Sequence, residues 1–320
     1  MTVSVLSFGV EVEILVRPKA GSPLYTLLES NEWDSSVQSV THDESGKLDS
    51  DADGGACAQR WKQADNRLIL RQAIAELLTA NRVPAEEGCS PGYDEWSVVD
   101  DGSVQETPGF WRIELVSRVL STADGWRHEV ATVFQVLSAN ADLATNESCA
   151  THIHVSPGLY TFEDDQLRAI CQGIAFFDTA ITALLPAHRR TTKWARSNME
   201  NDVNPHLRQA AKLVPRDGLA AMWSEFDQVS RGNVFAVMNS EERRMAWNFA
   251  NVDSGSGTVE FRSPPGVTDE RDLSSWVTFT LGLVAAIMGT KWQDLKTRKR
   301  TGRVWELVLA VEKGAALLGR

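Results

Sequence analysis

The nine residues Phe8 to Val16, FGVEVEILV, change character at a period of two, and only an extended strand converts that period into two different faces. Glu11 and Glu13 then share one face, and Val12 between them turns to the other. The same parity recurs at His152 and His154 in THIHVS, at Arg112 and Glu114 in WRIELVS, and at Glu260 and Arg262 in TVEFRS, with Ile153, Ile113 and Phe261 as the apolar residues between. One doublet is read equally well as a solvated strand face, and a lone histidine pair is more often structural. Four doublets say more. If these strands share one antiparallel sheet whose apolar side is covered by helices, the opposite side concentrates carboxylates, two imidazoles and two guanidiniums. Same-face neighbours along a strand stand roughly 7 Å apart, and bare carboxylates about 4 Å apart repel by about 4 kcal/mol at an effective dielectric of about 20. A cation offsets that repulsion. Carboxylate-dominated donors favour Mg²⁺, with Mn²⁺ as substitute, over structural zinc. Arg262, two residues from a candidate ligand, offers the planar fork that suits phosphate oxygens. No G-x-x-x-x-G-K-[ST], G-x-G-x-x-G or G-x-S-x-G motif supplies another site.

The rest of the pattern supplies the sheet and its cover. Residues 3 to 16 read as a strand ended by Pro18, Gly21 and Pro23, and NRLILRQAIAELLTANR carries helical periodicity. Between them, Asp49, Asp51, Asp53 and Gly54 imitate the start of a calcium loop, but Arg60 stands at the twelfth position, where a bidentate Glu is required. We expect a mobile acidic loop there. Further strands are expected over EWSVVDD, FWRIELVSRVL, ATHIHVS, RRMAWNFAN and GTVEFRSPP. Helices are expected over DGWRHEVATVFQVLSAN, over FEDDQLRAICQGIAFFDTAITALL until Pro186 stops it, over a short AAMWSEFDQVS, and as a final pair separated by KTRKR. Residues 187 to 215, polar and basic, read as an irregular lid or substrate loop.

A chain of 320 residues exceeds the usual single-domain size, yet one α+β catalytic domain over 1–320, with loop and helical insertions near 20–95 and 187–245, accommodates it. A net charge of −11 repels phosphate backbones, so nucleic acid is not an expected partner. Four scattered cysteines without C-x-x-C suit free thiols in a reducing compartment. The N-terminus enters a strand pattern without a basic stretch, an apolar core and a cleavage site, so a cytoplasmic protein is expected. The apolar run WVTFTLGLVAAIMG is shorter than a bilayer span and reads as a buried helix.

The order Phe8-Gly9-Val10-Glu11-Val12-Glu13, then Trp96 with VVDDGSV, IELVS, THIHVS and TVEFRSPPGVTD followed by Trp276, resembles the amidoligase family, a branch of the glutamine synthetase-like carboxylate-amine ligases. The resemblance implies an ATP-dependent ligase on an antiparallel sheet whose charged concave face binds divalent ions and ATP, with small-molecule carboxylate and amine substrates. It implies Glu11, Glu13, Glu114 and Glu260 as metal ligands, one of His152 and His154 as a metal or substrate histidine, and Arg262 as a phosphate-binding residue. The segment with Arg189, Arg190, Arg196 and Asn198 looks like the family's arginine-containing segment after its long helix. Arg118 stands where the family commonly has proline. Asp100 or Asp101 is a candidate for steering or deprotonating the amine, the alternative being a simple turn. Asn248 and Asn251 are candidates for substrate or nucleotide contact, the alternative being loop caps. Trp194 and Trp247 flank the expected pocket and are candidates for stacking on adenine. Two other readings stand beside the ligase: a metal-dependent hydrolase using His152, His154 and the carboxylates, which leaves Arg262 without a task, and a non-catalytic relative of the ligases.

Overall fold

A computed structural model describes residues 5–39, 54–158, 160–199 and 204–319. In chain order the elements are β1 (Ser7–Pro18), α1 (Pro23–Ser30), α2 (Gly54–Ala80), β2 (Ala85–Glu87), β3 (Trp96–Val99), β4 (Trp111–Val116), β5 (Leu120–Ser121), α3 (Trp126–Asn140), β6 (Ala141–Ala144) and β7 (Thr151–Ser156). There follow α4 (Asp164–Leu184), α5 (Ala187–Arg190), α6 (Pro205–Asp217), α7 (Ala220–Trp223), α8 (Val234–Asn239), β8 (Trp247–Asn248), β9 (Val259–Phe261), α9 (Glu270–Met288) and α10 (Val304–Leu317).

The fold is α+β, built on one open sheet ordered β2-β3-β4-β1-β7-β9-β8, with β5 and β6 also paired to β1. Only the β2–β3 pair among them is parallel. The long β1 is central, with β4 on one side and β7 on the other, and its end from Leu15 to Pro18 passes to β6. Directly opposed residues share a face. The register sets Glu13 opposite Glu114, Glu11 opposite His152, His154 opposite Glu260, and Glu260 opposite Asn248. The intervening Val10, Val12, Ile14, Ile113, Leu115, Ile153, Val155 and Phe261 are buried in one continuous core. Helices α2 and α9 pack on that apolar side, and α4 and α10 pack in turn on α9. The α9–α10 crossing is a backbone contact: a Cβ on Gly314 would stand 1.8 Å from the Gly282 carbonyl oxygen. Helix α4 is long and apolar enough to cross a bilayer, but most of it is buried within this fold.

Three expectations need correction. Residues 187 to 215 are not irregular throughout, because α6 fills their end: Asn204 caps it by accepting from the Leu207 amide, Pro205 opens it, and Leu207, Ala210 and Val214 bury one stripe. Helix α2 begins before NRLILRQ, and its early turns are held by polar side chains. Gln63 donates to the Gln38 carbonyl, while Asn66 donates to the Asp34 carbonyl and accepts from the Asp34 amide, so no apolar stripe advertised the helix. The strand expected over RRMAWNFAN shrinks to Trp247–Asn248. Asp49, Asp51 and Asp53 of the calcium-loop imitation lie outside the described residues.

Candidate functional site

The charged face of the sheet forms the floor of a cavity of about 340 Å³ lined by Glu11, Glu13, Asp101, His152, His154, Asn248, Asn251, Glu260 and Arg262, with Arg189, Trp194, Arg243 and Arg244 on its wall. Strand parity brings the floor together. His152 Nδ1 stands 2.8 Å from Glu11 Oε2 and 3.6 Å from Glu260 Oε1, while His152 Nε2 is 3.7 Å from Glu13 Oε1. His154 Nε2 lies 3.1 Å from Glu11 Oε1 and 3.8 Å from Glu260 Oε1. Asn248 donates to Glu260 Oε2 at 2.7 Å, the Ala150 amide donates to Glu13 Oε2 at 2.7 Å, and Arg262 donates to Glu260 Oε1. The Arg262 Nε is buried with no partner among the described residues.

Three donor sets each bring their ligand atoms within 4.8 Å of one another: Glu11, Glu114 and His152; Glu11, His154 and Glu260; and Glu13, Asp101 and Glu114. Glu11 and Glu114 each belong to two of these sets. This oxygen-rich chemistry with a minority of imidazole fits Mg²⁺ or Mn²⁺.

Electrostatics describe a floor on which buried carboxylates crowd one another. Burial pushes Glu13 up to about 8, with Asp101 adding repulsion. Burial likewise pushes Glu114 up to about 8, assisted by the charge on Glu11. Glu11 goes the other way: burial is outweighed by the His154 charge and by hydrogen bonds from both imidazoles, which hold its carboxyl well below the usual range. His154 is raised to about 9, because the attraction of Glu11 overcomes burial.

The loop between β3 and β4 separates its two aspartates. Asp100 turns away from the cavity into a two-pronged pair with Arg112, at 2.7 and 3.1 Å, and burial notwithstanding this pair holds its carboxyl below the ordinary range. Asp101 faces the cavity. A second braced pair, Arg67 with Glu106, pins the same loop to α2, with Glu106 fully buried. The far end of the site depends on a close approach. Gly266 donates to the Cys149 carbonyl, and a Cβ there would stand 2.5 Å from Cys149 Cβ, so the SPPG segment lies flat against the start of β7. Arg189, 2% exposed, donates to the carbonyls of Arg262 and Ser263 and so anchors the strand end bearing Arg262.

Four expected site residues do other work. Arg190 donates to the Leu185 and Ala183 carbonyls and closes the end of α4. Asn198, wholly buried, clamps Met238 and both backbone groups of Trp247. Trp247 points into the helix side, stacked on Phe261 at 4.5 Å between centroids and 1% exposed, because its position has the parity opposite to Asn248. Arg196 lies with Arg190 on a neighbouring cavity of about 270 Å³, which meets the charged one at Arg189. Arg118, in place of the expected proline, pairs with Glu129 at 2.7 Å, and the Ser117 amide still donates to Val10, so β4 stays zipped to β1. Sequence reasoning missed Arg243 and Arg244; their only signal was a pair of adjacent arginines with no strand parity to aim them.

An open antiparallel sheet with acids, imidazoles and a guanidinium on one face and the core on the other defines a carboxylate-rich, metal-competent site. Residues 4–284 match a family described as "putative amidoligase enzyme", and the chain belongs to that family, which makes it an enzyme of ligase type at that level. No curated protein matches the chain.

Proposed function

We propose that the protein is an ATP- and Mg²⁺-dependent ligase that joins a carboxylic acid to an amine through an acyl phosphate. One observation carries the reading: three overlapping donor sets, of which the Glu11, His154 and Glu260 set lies wholly on the cavity lining, stand beside Arg262, whose Nε has no partner among the described residues. A carboxylate is a poor electrophile until one oxygen becomes a good leaving group. Transfer of the γ-phosphoryl of ATP to that oxygen releases ADP, and attack by the amine on the acyl carbon expels inorganic phosphate. Glu11, Glu13, Glu114, Glu260 and the imidazoles would hold divalent ions, which would supply the positive charge that such a transfer needs.

The chain's own groups do the rest. Arg262 offers its donors to the phosphoryl oxygens, and Arg189 holds the strand end that aims it. Asn248 fixes the rotamer of Glu260. Asp101, facing the cavity with no arginine partner among the described residues, receives the proton that the amine loses, whereas Asp100 positions the loop through Arg112. A cytoplasmic, reducing setting belongs to the same proposal, supported by free Cys89, Cys149 and Cys171.

The test is binding of a non-hydrolysable ATP analogue, with and without Mg²⁺, to the wild type and to Glu11→Gln. Binding that requires Mg²⁺ and weakens at least about tenfold in the variant is expected, since Glu11 serves two donor sets. A wild type that binds no nucleotide under any metal condition overturns the ligase reading in favour of a nucleotide-independent hydrolase.

A further inference from the structure

The cavity is divided by charge. Its floor holds Glu11, Glu13, Asp101 and Glu260, and its wall holds Arg189, Arg243, Arg244 and Arg262. Two of those arginines are committed: Arg189 to the carbonyls of Arg262 and Ser263, and Arg262 to Glu260. The other two are not. No carboxylate among the described residues pairs with Arg243 or Arg244, and both are exposed. Arg244 lies over the Trp194 ring, 4.6 Å from its centroid, which orients the guanidinium plane while leaving its N–H donors unused.

The backbone that presents them is strained and tied down. Ser240 and Glu241, consecutive non-glycine residues, both adopt left-handed conformations at φ 46° and 65°, a cost that persists only where surrounding structure enforces it and that clusters at functional sites. The enforcement is visible. Asn239 donates to the Glu242 and Trp247 carbonyls, the Glu242 side chain accepts from the Arg244 amide, and the Arg196 backbone brackets the segment through Arg244 and Ala246. A solvated pair of arginines needs no such scaffold.

We propose that Arg243 and Arg244 form a second anion subsite at the cavity mouth, which reads an anionic group of the acid substrate remote from the carboxylate that reacts. The substrate is therefore an acid with two anionic groups, the second being a carboxylate or a phosphate, and the arginine pair determines specificity for it. Monoanionic acids leave both guanidiniums without an anionic partner and forgo that charge-assisted attraction, so they bind more weakly. This inference rests on the ligase reading for which carboxylate reacts, but the subsite itself is measurable without turnover.

The experiment is calorimetric titration, in the presence of Mg²⁺, with succinate, glutarate and adipate, with monomethyl glutarate as the same chain lacking one charge, and with 3-phosphonopropionate for the phosphate alternative. At least one dianion is expected to bind tenfold or more tightly than the monoester, with the gap falling below twofold in both Arg243→Gln and Arg244→Gln. Relative affinity for glutarate and 3-phosphonopropionate tells carboxylate from phosphate. Equal binding of diacid and monoester, a gap that survives both substitutions, or no binding of any dianion overturns the subsite. A parallel titration with the Mg²⁺–ATP analogue separates the two levels. Loss of nucleotide affinity in the arginine variants makes the pair a phosphate ligand of ATP and overturns the inference while sparing the ligase, whereas absence of nucleotide binding in the wild type overturns the ligase alone.

Discussion

Metal binding should expel protons from the sheet face, and the number follows from the two carboxyls that burial has raised. Glu13 and Glu114 each titrate at about 8 in the metal-free protein, so at pH 7 each is ~90% protonated and the pair carries ~1.8 protons. A divalent cation takes only the ionised forms. A cation held by Glu13 and Glu114 at pH 7 should therefore release ~1.8 protons from that pair, and at pH 9, where each carboxyl is ~10% protonated, ~0.2. Titrating Mg²⁺ or Mn²⁺ calorimetrically in two buffers of different ionisation enthalpy reads the number as the slope of heat against buffer enthalpy. Release below ~0.5 proton at pH 7, or equal release at both pH values, refutes the electrostatic description. The stability sign follows from the same shifts. Unfolded, these carboxyls titrate at about 4.3. Between there and about 8 the folded metal-free chain keeps protons that the unfolded chain has lost, so stability falls as pH rises through that window. His154, raised to about 9, acts in the same direction: its stabilisation is complete below about 6.5 and is lost as pH rises through 9. The metal-free Tm should thus decline from pH 5 to pH 8, and Mg²⁺ should raise Tm more at pH 8 than at pH 6.

Arg67→Met strands the fully buried Glu106 carboxylate and should cost about 3–5 kcal/mol. At ~2.1 cal/mol/K per residue over 320 residues that is a Tm loss of about 4–7 °C, and the double change Arg67→Met with Glu106→Leu should recover most of it; no recovery in the double variant would contradict the assignment of the loss to an orphaned charge. Trp247→Ala empties a buried stack against Phe261 and should cost about 3–5 kcal/mol in chemical denaturation, while nucleotide-analogue affinity per folded molecule stays unchanged; a selective loss of affinity would return Trp247 to the site. Gly314→Ala drives a methyl group into the Gly282 carbonyl and should lower Tm by prising α10 from α9, with helical circular dichroism preserved below the transition.

What the chain alone determined is the parity of its strands. Glu11 with Glu13, His152 with His154, and Glu260 with Arg262 share faces because a strand has no other period, so the composition of the charged face and the α+β layering were legible from alternation and helical periodicity. Parity aims side chains up or down but carries no information across strands. That Glu11 falls opposite His152 and Glu13 opposite Glu114 is a matter of register, and only register made three donor sets share Glu11 and Glu114. Loops lack even parity. Asp100 and Asp101 are alike in sequence, and the buried Arg112 decided which faces the cavity. Trp247, one residue from a site asparagine, went to the core because the same alternation that turns Asn248 to the charged face turns its neighbour to the apolar one. Arg243 and Arg244 reached the cavity mouth through a left-handed turn held locally by Asn239 and, from a segment far apart in sequence, by the Arg196 backbone, a contact that local pattern does not encode.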